Sequence, residues 1–194
     1  MSVVTSDLRQ LRLLVERYYQ HDVEGRRHAV NVAKLSLQIG RSLRLPRAEL
    51  VSLGIGALLH DLGKLAVPAP LLETARKLTA DEWRIVREHS AAGESLVSSY
   101  LRHPNVRAVI RSHHERVDGL GYPDGLRADA IPLAARIVAV ADAYDAMVAE
   151  RPYAPARNPQ DALSEVFACS GRQFDAGCVA CLAEIVAPVR LAVA

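Results

Sequence analysis

The stretch Pro132-Leu-Ala-Ala-Arg-Ile-Val-Ala-Val-Ala-Asp142-Ala-Tyr-Asp145-Ala-Met-Val148 decides the fold class. It opens on a proline, whose missing N–H is no loss in a first helical turn, and then runs without glycine or a second proline. Its apolar residues follow at three-and-four spacing, so a helix from Leu133 to Val148 is predicted. One position breaks the apolar stripe. Asp142 follows Ala135 and Val138 on the same face and therefore carries a carboxylate inward.

The same period recurs on both sides of that stretch. Leu8, Leu11, Leu14, Val15 and Tyr18 predict a first helix over about Ser6 to Gln20, and Val32, Leu35 and Ile39 a second that stops near Leu45-Pro46. Pro46 opens a third through Leu50, Leu53 and Ala57 towards His60. The capping box Thr79-Ala-Asp-Glu82 starts a fourth that is expected to run through Trp83, Val86 and Leu96. Pro104 opens a fifth, with Val106, Val109 and Ile110 leading to His113. Asn158-Pro159 starts a seventh through Leu163, Val166 and Phe167, and a last helix is expected from about Phe174 to Val186. Period-two clusters of aromatic and β-branched residues are nearly absent. The expectation is an all-α fold, a single helical bundle of about seven to eight helices. Between the fifth and sixth helices Gly119, Gly121, Pro123 and Gly125 crowd one short connection that cannot be regular structure.

With 194 residues, half of them hydrophobic, the chain can bury one core and is read as one domain, residues 1–194, with an N-terminal helix over 1–20 and a motif-bearing core over 24–175. The N-terminal segment carries Asp7, Arg9, Arg12, Glu16 and Arg17 in place of a signal-peptide apolar run, so a cytoplasmic protein is expected, with no membrane association. A formal net charge of +2 argues against a nucleic acid polymer as partner. Three cysteines give no sign of a disulfide framework. Cys178-Val-Ala-Cys181 lies on a stripe with Phe174, Leu182 and Ile185 and is read as core packing.

Five predicted helices carry ligand-type side chains on or beside their apolar stripes: His28, His60, His89, His113 and Asp142. A lone histidine in such a place is more often a hydrogen-bonded core residue. Five, together with the adjacent pairs His60-Asp61 and His113-His114, need something cationic, because buried polar groups without partners cost several kcal/mol. Imidazole and carboxylate donors without thiolate suit a multinuclear hydrolytic site better than a closed structural zinc site. A carboxylate such as Asp61 bridging two ions fits an in-line phosphoryl displacement.

Four segments then resemble a known family: His60-Asp61-Leu-Gly-Lys64; His113-His114-Glu-Arg-Val-Asp-Gly-Leu-Gly121-Tyr122-Pro123; Ala-Asp142-Ala-Tyr-Asp145-Ala-Met; and Arg151-Pro-Tyr153. Together they are similar to the HD-GYP subgroup of the HD phosphohydrolases. The resemblance implies metal ligation by His28, His60, Asp61, His89, His113, His114 and Asp142, with Glu24 matching a ligand of members that hold a third ion. Two or three divalent ions, iron or manganese, would be the cofactors. It implies catalysis by Asp61 and by Lys64, which matches a lysine beside the attacking hydroxide. It implies substrate contacts from Gly121, Tyr122, Pro123 and Arg151.

The family's substrate is cyclic di-GMP, opened to pGpG and in some members cut on to GMP, while some relatives prefer other cyclic dinucleotides. Two departures bear on this: Asn31 stands where many members have arginine, and Ala154 where many have a basic residue. Asp145 and Asp118 are read as partners of a ligating histidine and of Arg116. Three alternatives stay open: another nucleotide as substrate, a non-catalytic messenger-binding module, and a regulatory protein partner or homodimer.

Overall fold

The computed structural model describes residues 3–20, 22–150 and 156–186, with the backbone alone at 3–6, 8 and 17. The chain order is α1 (Val3–Gln20), α2 (Val23–Ser42), α3 (Arg47–Leu59), a 3-10 turn (Leu62–Ala66), the single-turn α4 (Ala69–Leu72), α5 (Ala80–Arg87) and α6 (His89–Ser98). It continues through α7 (Pro104–Ser112), a second 3-10 turn (Ala128–Ala130), α8 (Leu133–Val148), α9 (Pro159–Ala168) and α10 (Ala176–Val186). Among the described residues there is no strand, only an isolated bridge between Ser170 and Phe174. The all-α expectation holds, and α8 has the predicted bounds.

Side-chain caps fix three of the described helix starts. The Asp22 carboxylate accepts from Gly25 N at 2.7 Å and caps α2. Thr79 and Glu82 close the predicted capping box on α5, with Glu82 N donating to Thr79 Oγ1 at 3.3 Å and Thr79 N to Glu82 Oε2 at 2.8 Å. Asn158 caps α9 by accepting from Gln160 N at 2.8 Å.

The predicted helix from Thr79 through Leu96 is two helices, and this is a correction. At Glu88 the backbone N–H bonds back to Ile85 O at 3.2 Å, three residues away, and the His89 ring takes the Val86 carbonyl at 2.8 Å. The helical ladder is interrupted there, and His89, the first residue of α6, is buried.

Two apolar clusters hold the bundle. The larger joins α2, α3, α8, α9 and α10 through residues such as Val32, Ile39, Leu53, Val138, Val166 and Leu182. The smaller joins α1, the end of α3, α6 and α7 through Leu11, Leu59, Leu62, Val97, Val106 and Ile110. Cys178 is buried in the larger cluster with Phe174 and Leu182, as expected for a packing residue. The first 3-10 turn crosses α6 at backbone contact: a Cβ on Gly63 would lie 1.8 Å from His89 O and 2.5 Å from Gly93 N. Only two facing glycines allow that crossing, which sets His60-Asp61 beside His89.

Gly63→Ala is therefore expected to lower the melting temperature by roughly 5–10 °C, from overpacking of about 1–3 kcal/mol. Gly54→Ala, whose new Cβ would meet Leu37 at an ordinary 3.4 Å in mid-helix, should leave it unchanged or raise it slightly. Thermal melts of the two variants beside the parent protein check this; equal melting points would contradict it.

Candidate metal centre and substrate pocket

Seven of the eight predicted ligands converge. Asp61, His89, His113 and His114 offer one donor atom each within 4.8 Å of one another, and His28, His60 and Asp142 form a second such group. They arrive from α2, the α3 end, α6, the α7 end and α8. Asp61 stands between the groups: its Oδ1 lies 3.6 Å from His89 Nε2 and its Oδ2 3.4 Å from His60 Nε2. One carboxylate thus offers one oxygen to each side, the arrangement a bridging ligand requires.

Three histidines are aimed by one repeated device. His60 Nδ1 meets Ala57 O at 2.7 Å, His89 Nδ1 meets Val86 O at 2.8 Å, and His113 Nδ1 meets Ile110 O at 2.8 Å. A carbonyl only accepts, so each Nδ1 carries the proton and each Nε2 turns its lone pair inward. His28 is oriented by a carboxylate instead, with Nδ1 2.7 Å from Asp145 Oδ2 and Nε2 3.0 Å from Asp142 Oδ1. The Asp145 role expected from the sequence is met, and so is that of Asp118, which pairs with Arg116 at 2.6 Å.

The charges suit cations. Burial, reinforced by neighbouring imidazoles, holds His113 well below the ordinary histidine range and His114 down to about 4, and burial also lowers His89. Burial opposes ionisation of Asp61 and Asp142, but Lys64 and His60 on the first, and His28 and His60 on the second, outweigh it and hold both carboxyls low. Burial likewise disfavours charge on His28, yet hydrogen bonds to Asp142 and Asp145 push it up to about 9. His89, His113 and His114 are thus held neutral beside ionised carboxylates, the state in which they ligate, whereas the proton that Asp142 and Asp145 favour on His28 is one that a bound ion would displace. His60 Nε2 is fully buried and makes no hydrogen bond among the described residues. Burial disfavours charge on His60, but Asp61 and Asp142 outweigh it and raise the ring, and a divalent ion at this unbonded nitrogen would meet the same carboxylates in place of a proton.

Glu24 is placed differently from its neighbours. It lies in the first turn of α2, is solvent-exposed and belongs to neither donor group, because the face of α2 that turns His28 inward leaves the preceding turn in water. Lys64, one turn after Asp61, sets its ammonium 2.6 Å from Asp61 Oδ2 and keeps about a third of its side chain exposed. Arg151 lies outside the described residues, as do Tyr153 and Ala154. Asn31 is half-buried on α2, three residues past His28.

The connection rich in glycine forms one wall of a cavity of about 320 Å³ beside the donors. Tyr122 stacks on His114 with ring centres 4.8 Å apart and planes 27° apart. Gly121 is required there, since a Cβ would fall 2.4 Å from Arg116 N and 2.6 Å from His114 O. Pro123 follows through a cis peptide bond and is exposed.

Beneath the connection is a residue to which sequence reading assigned no role. Glu115, 3% exposed, accepts from the backbone N–H groups of Asp124 at 2.7 Å, Gly125 at 3.1 Å and Leu126 at 3.0 Å. A glutamate after two histidines looks like any solvated loop acid. The only signal was a loop of consecutive N–H groups with no partner of their own. Arg111 anchors the outer side through two bonds of 2.7 Å to Asp124.

A family model described as HD domain matches residues 10–177. The cyclic di-GMP phosphodiesterase response regulator RpfG of Xanthomonas campestris is 46% identical over 143 residues, 73% of this chain and 38% of that protein. The 3'3'-cGAMP-specific phosphodiesterase 3 of Vibrio cholerae is 39% identical over 137 residues, 71% of this chain and 30% of its own length. Bd1817 of Bdellovibrio bacteriovorus, titled an HDG"Y"P protein, shares the fold at a TM-score of 0.70 and 22% identity, over 85% of this chain and 53% of that one. The match thus spans 38% and 30% of the two curated relatives. Helices that deliver a paired histidine and aspartate between two imidazole groups, and a family match over most of their length, agree: this chain belongs to the HD domain family.

Proposed function

We propose that the chain, as one HD-GYP domain over residues 1–194, is a metal-dependent phosphodiesterase that opens cyclic di-GMP to pGpG. The observation that carries this reading is Asp61, with an oxygen towards each of two buried donor groups and Lys64 at its side. His28, His60 and Asp142 would hold one ion, His89, His113 and His114 another, with Asp61 shared; iron or manganese suits these nitrogen and oxygen donors. When bound, such ions supply Lewis acidity and a water acidic enough to ionise near neutral pH.

The rest is done by the chain. Burial of the imidazoles keeps competing protons and bulk water away, and Asp145 holds His28 in register. Lys64, beside the shared Asp61, would steady the charge that builds on the phosphoryl oxygens as a water oxygen bonds to phosphorus, the P–O3′ bond breaks and O3′ leaves with a proton from that water. Tyr122, fixed on His114, closes the wall against which the nucleotide rests.

The RpfG and Vibrio cholerae relatives are named for cyclic di-GMP and 3'3'-cGAMP, so a cyclic dinucleotide is the common chemistry and the second guanine is the less supported part. Glu24 is proposed as a ligand of a third ion only if its turn folds inward on metal binding. The same reading includes action in the cytoplasm, further cleavage to GMP, a contact from Arg151, and regulation by a protein partner or a second copy, since RpfG is named a response regulator.

Elemental analysis of anaerobically purified protein should give about two divalent ions per chain, with turnover of cyclic di-GMP. Asp61→Ala is expected to lose both ion binding and turnover; full turnover in that variant would end the reading. Lys64→Ala should keep its metal and slow kcat by about 10²–10³-fold. Glu115→Gln puts an amide against the three loop N–H groups. It should cost about 1–3 kcal/mol of stability and reduce kcat/KM more than tenfold with metal content unchanged, and parent-like kinetics would show that the loop does not need its carboxylate.

A further inference from the structure

A row of flat groups leaves the metal centre along the pocket wall. His114 stacks on Tyr122 at 4.8 Å, the Arg87 guanidinium carbon stands 5.2 Å over the Tyr122 ring, and the same atom stands 5.5 Å over the Trp83 ring. Arg87 and Trp83 are one turn apart on α5, on the same helix face. Trp83 is 43% exposed at the pocket rim, a costly position for the chain's only tryptophan if it has nothing to cover.

Charge singles out Arg87 from the other cations near the cavity. Arg116 is engaged by Asp118 and by Gln173 Oε1 at 2.9 Å, and Lys64 by Asp61. Arg87 stands over two ring faces, is exposed, and among the described residues no carboxylate comes within ion-pair distance of it. A guanidinium held over two aromatic rings by cation–π attraction is positioned without having its N–H fork taken by a carboxylate, which suits bidentate contact with a phosphate.

The cavity volume of about 320 Å³ is at the lower end for small-molecule sites. A cyclic dinucleotide has two phosphates and two bases; with one phosphate at the metals, its other half must extend over the rim. We propose that Arg87 and Trp83 form the subsite for that distal half, Arg87 binding the phosphate that is not cleaved and Trp83 stacking on a base. This rests on the reading of the chain as a cyclic dinucleotide phosphodiesterase. The row from His114 to Trp83 then serves as a ruler that starts at the reacting phosphate and ends at the second nucleotide.

The test compares two substrates on the metal-loaded protein: cyclic di-GMP, and bis(p-nitrophenyl) phosphate, which is too short to reach the rim. For Arg87→Gln and for Trp83→Ala, the ratio of kcat/KM for cyclic di-GMP to that for bis(p-nitrophenyl) phosphate should fall at least tenfold, mainly through KM. Arg84→Ala, on the outer face of α5 where Arg84 pairs with Asp81 at 3.4 Å, should keep the parent ratio. An unchanged ratio in Arg87→Gln, or an equal loss on both substrates as expected from a merely structural role, overturns the subsite. A parent protein that cleaves bis(p-nitrophenyl) phosphate but no cyclic dinucleotide overturns the underlying reading as well, so the two failures are told apart.

Discussion

The Asp61 carboxylate and its two oxygens are what the rest of the molecule is arranged around. Oδ1 is turned to His89 and Oδ2 to His60, and Lys64 approaches Oδ2 from solvent. A fully buried carboxylate alone would be protonated or would unfold its surroundings; this one stays ionised because cationic and hydrogen-bonding partners surround it. That requirement explains why the segment after His60 is a tight 3-10 turn and not a longer α3. The turn brings Lys64 back over Asp61 and lets Gly63 pass the α6 backbone at a distance that no side chain would allow.

Rigid aim of the imidazoles follows from where they sit on their helices. His60 and His113 terminate α3 and α7, and His89 opens α6 just past a break. At such places a carbonyl three residues back has a free lone pair, and each ring uses it to fix its tautomer. The helix ends, usually a source of unsatisfied backbone groups, thereby become the orienting partners of the ligands. His28, in mid-helix, has no such carbonyl free and takes Asp145 from α8 instead.

The loop wall is built on the same principle with the roles reversed. There the backbone supplies the donors and one buried side chain, Glu115, accepts from three successive N–H groups. The carboxylate thus shapes an irregular segment that helix packing alone could not shape, and Tyr122 is held against His114 as a result. The donor group and the loop wall are joined through a single tripeptide, His113-His114-Glu115: two side chains go to the donor group and the third goes under the loop.

By itself the sequence determined the helices and most of the inward-facing donors, because both are consequences of local periodicity. Caps at Thr79 and Asn158, prolines at helix starts and polar residues on apolar stripes act within a few residues of where they are read. Only the tertiary structure decided the break at Glu88, the placing of Glu24 in water, which histidine Asp145 holds, the division of the donors into two groups around Asp61, and the burial of Glu115 under its loop. Each of these depends on which side chain or backbone group from a distant segment arrives opposite, and a one-dimensional period holds no information about that.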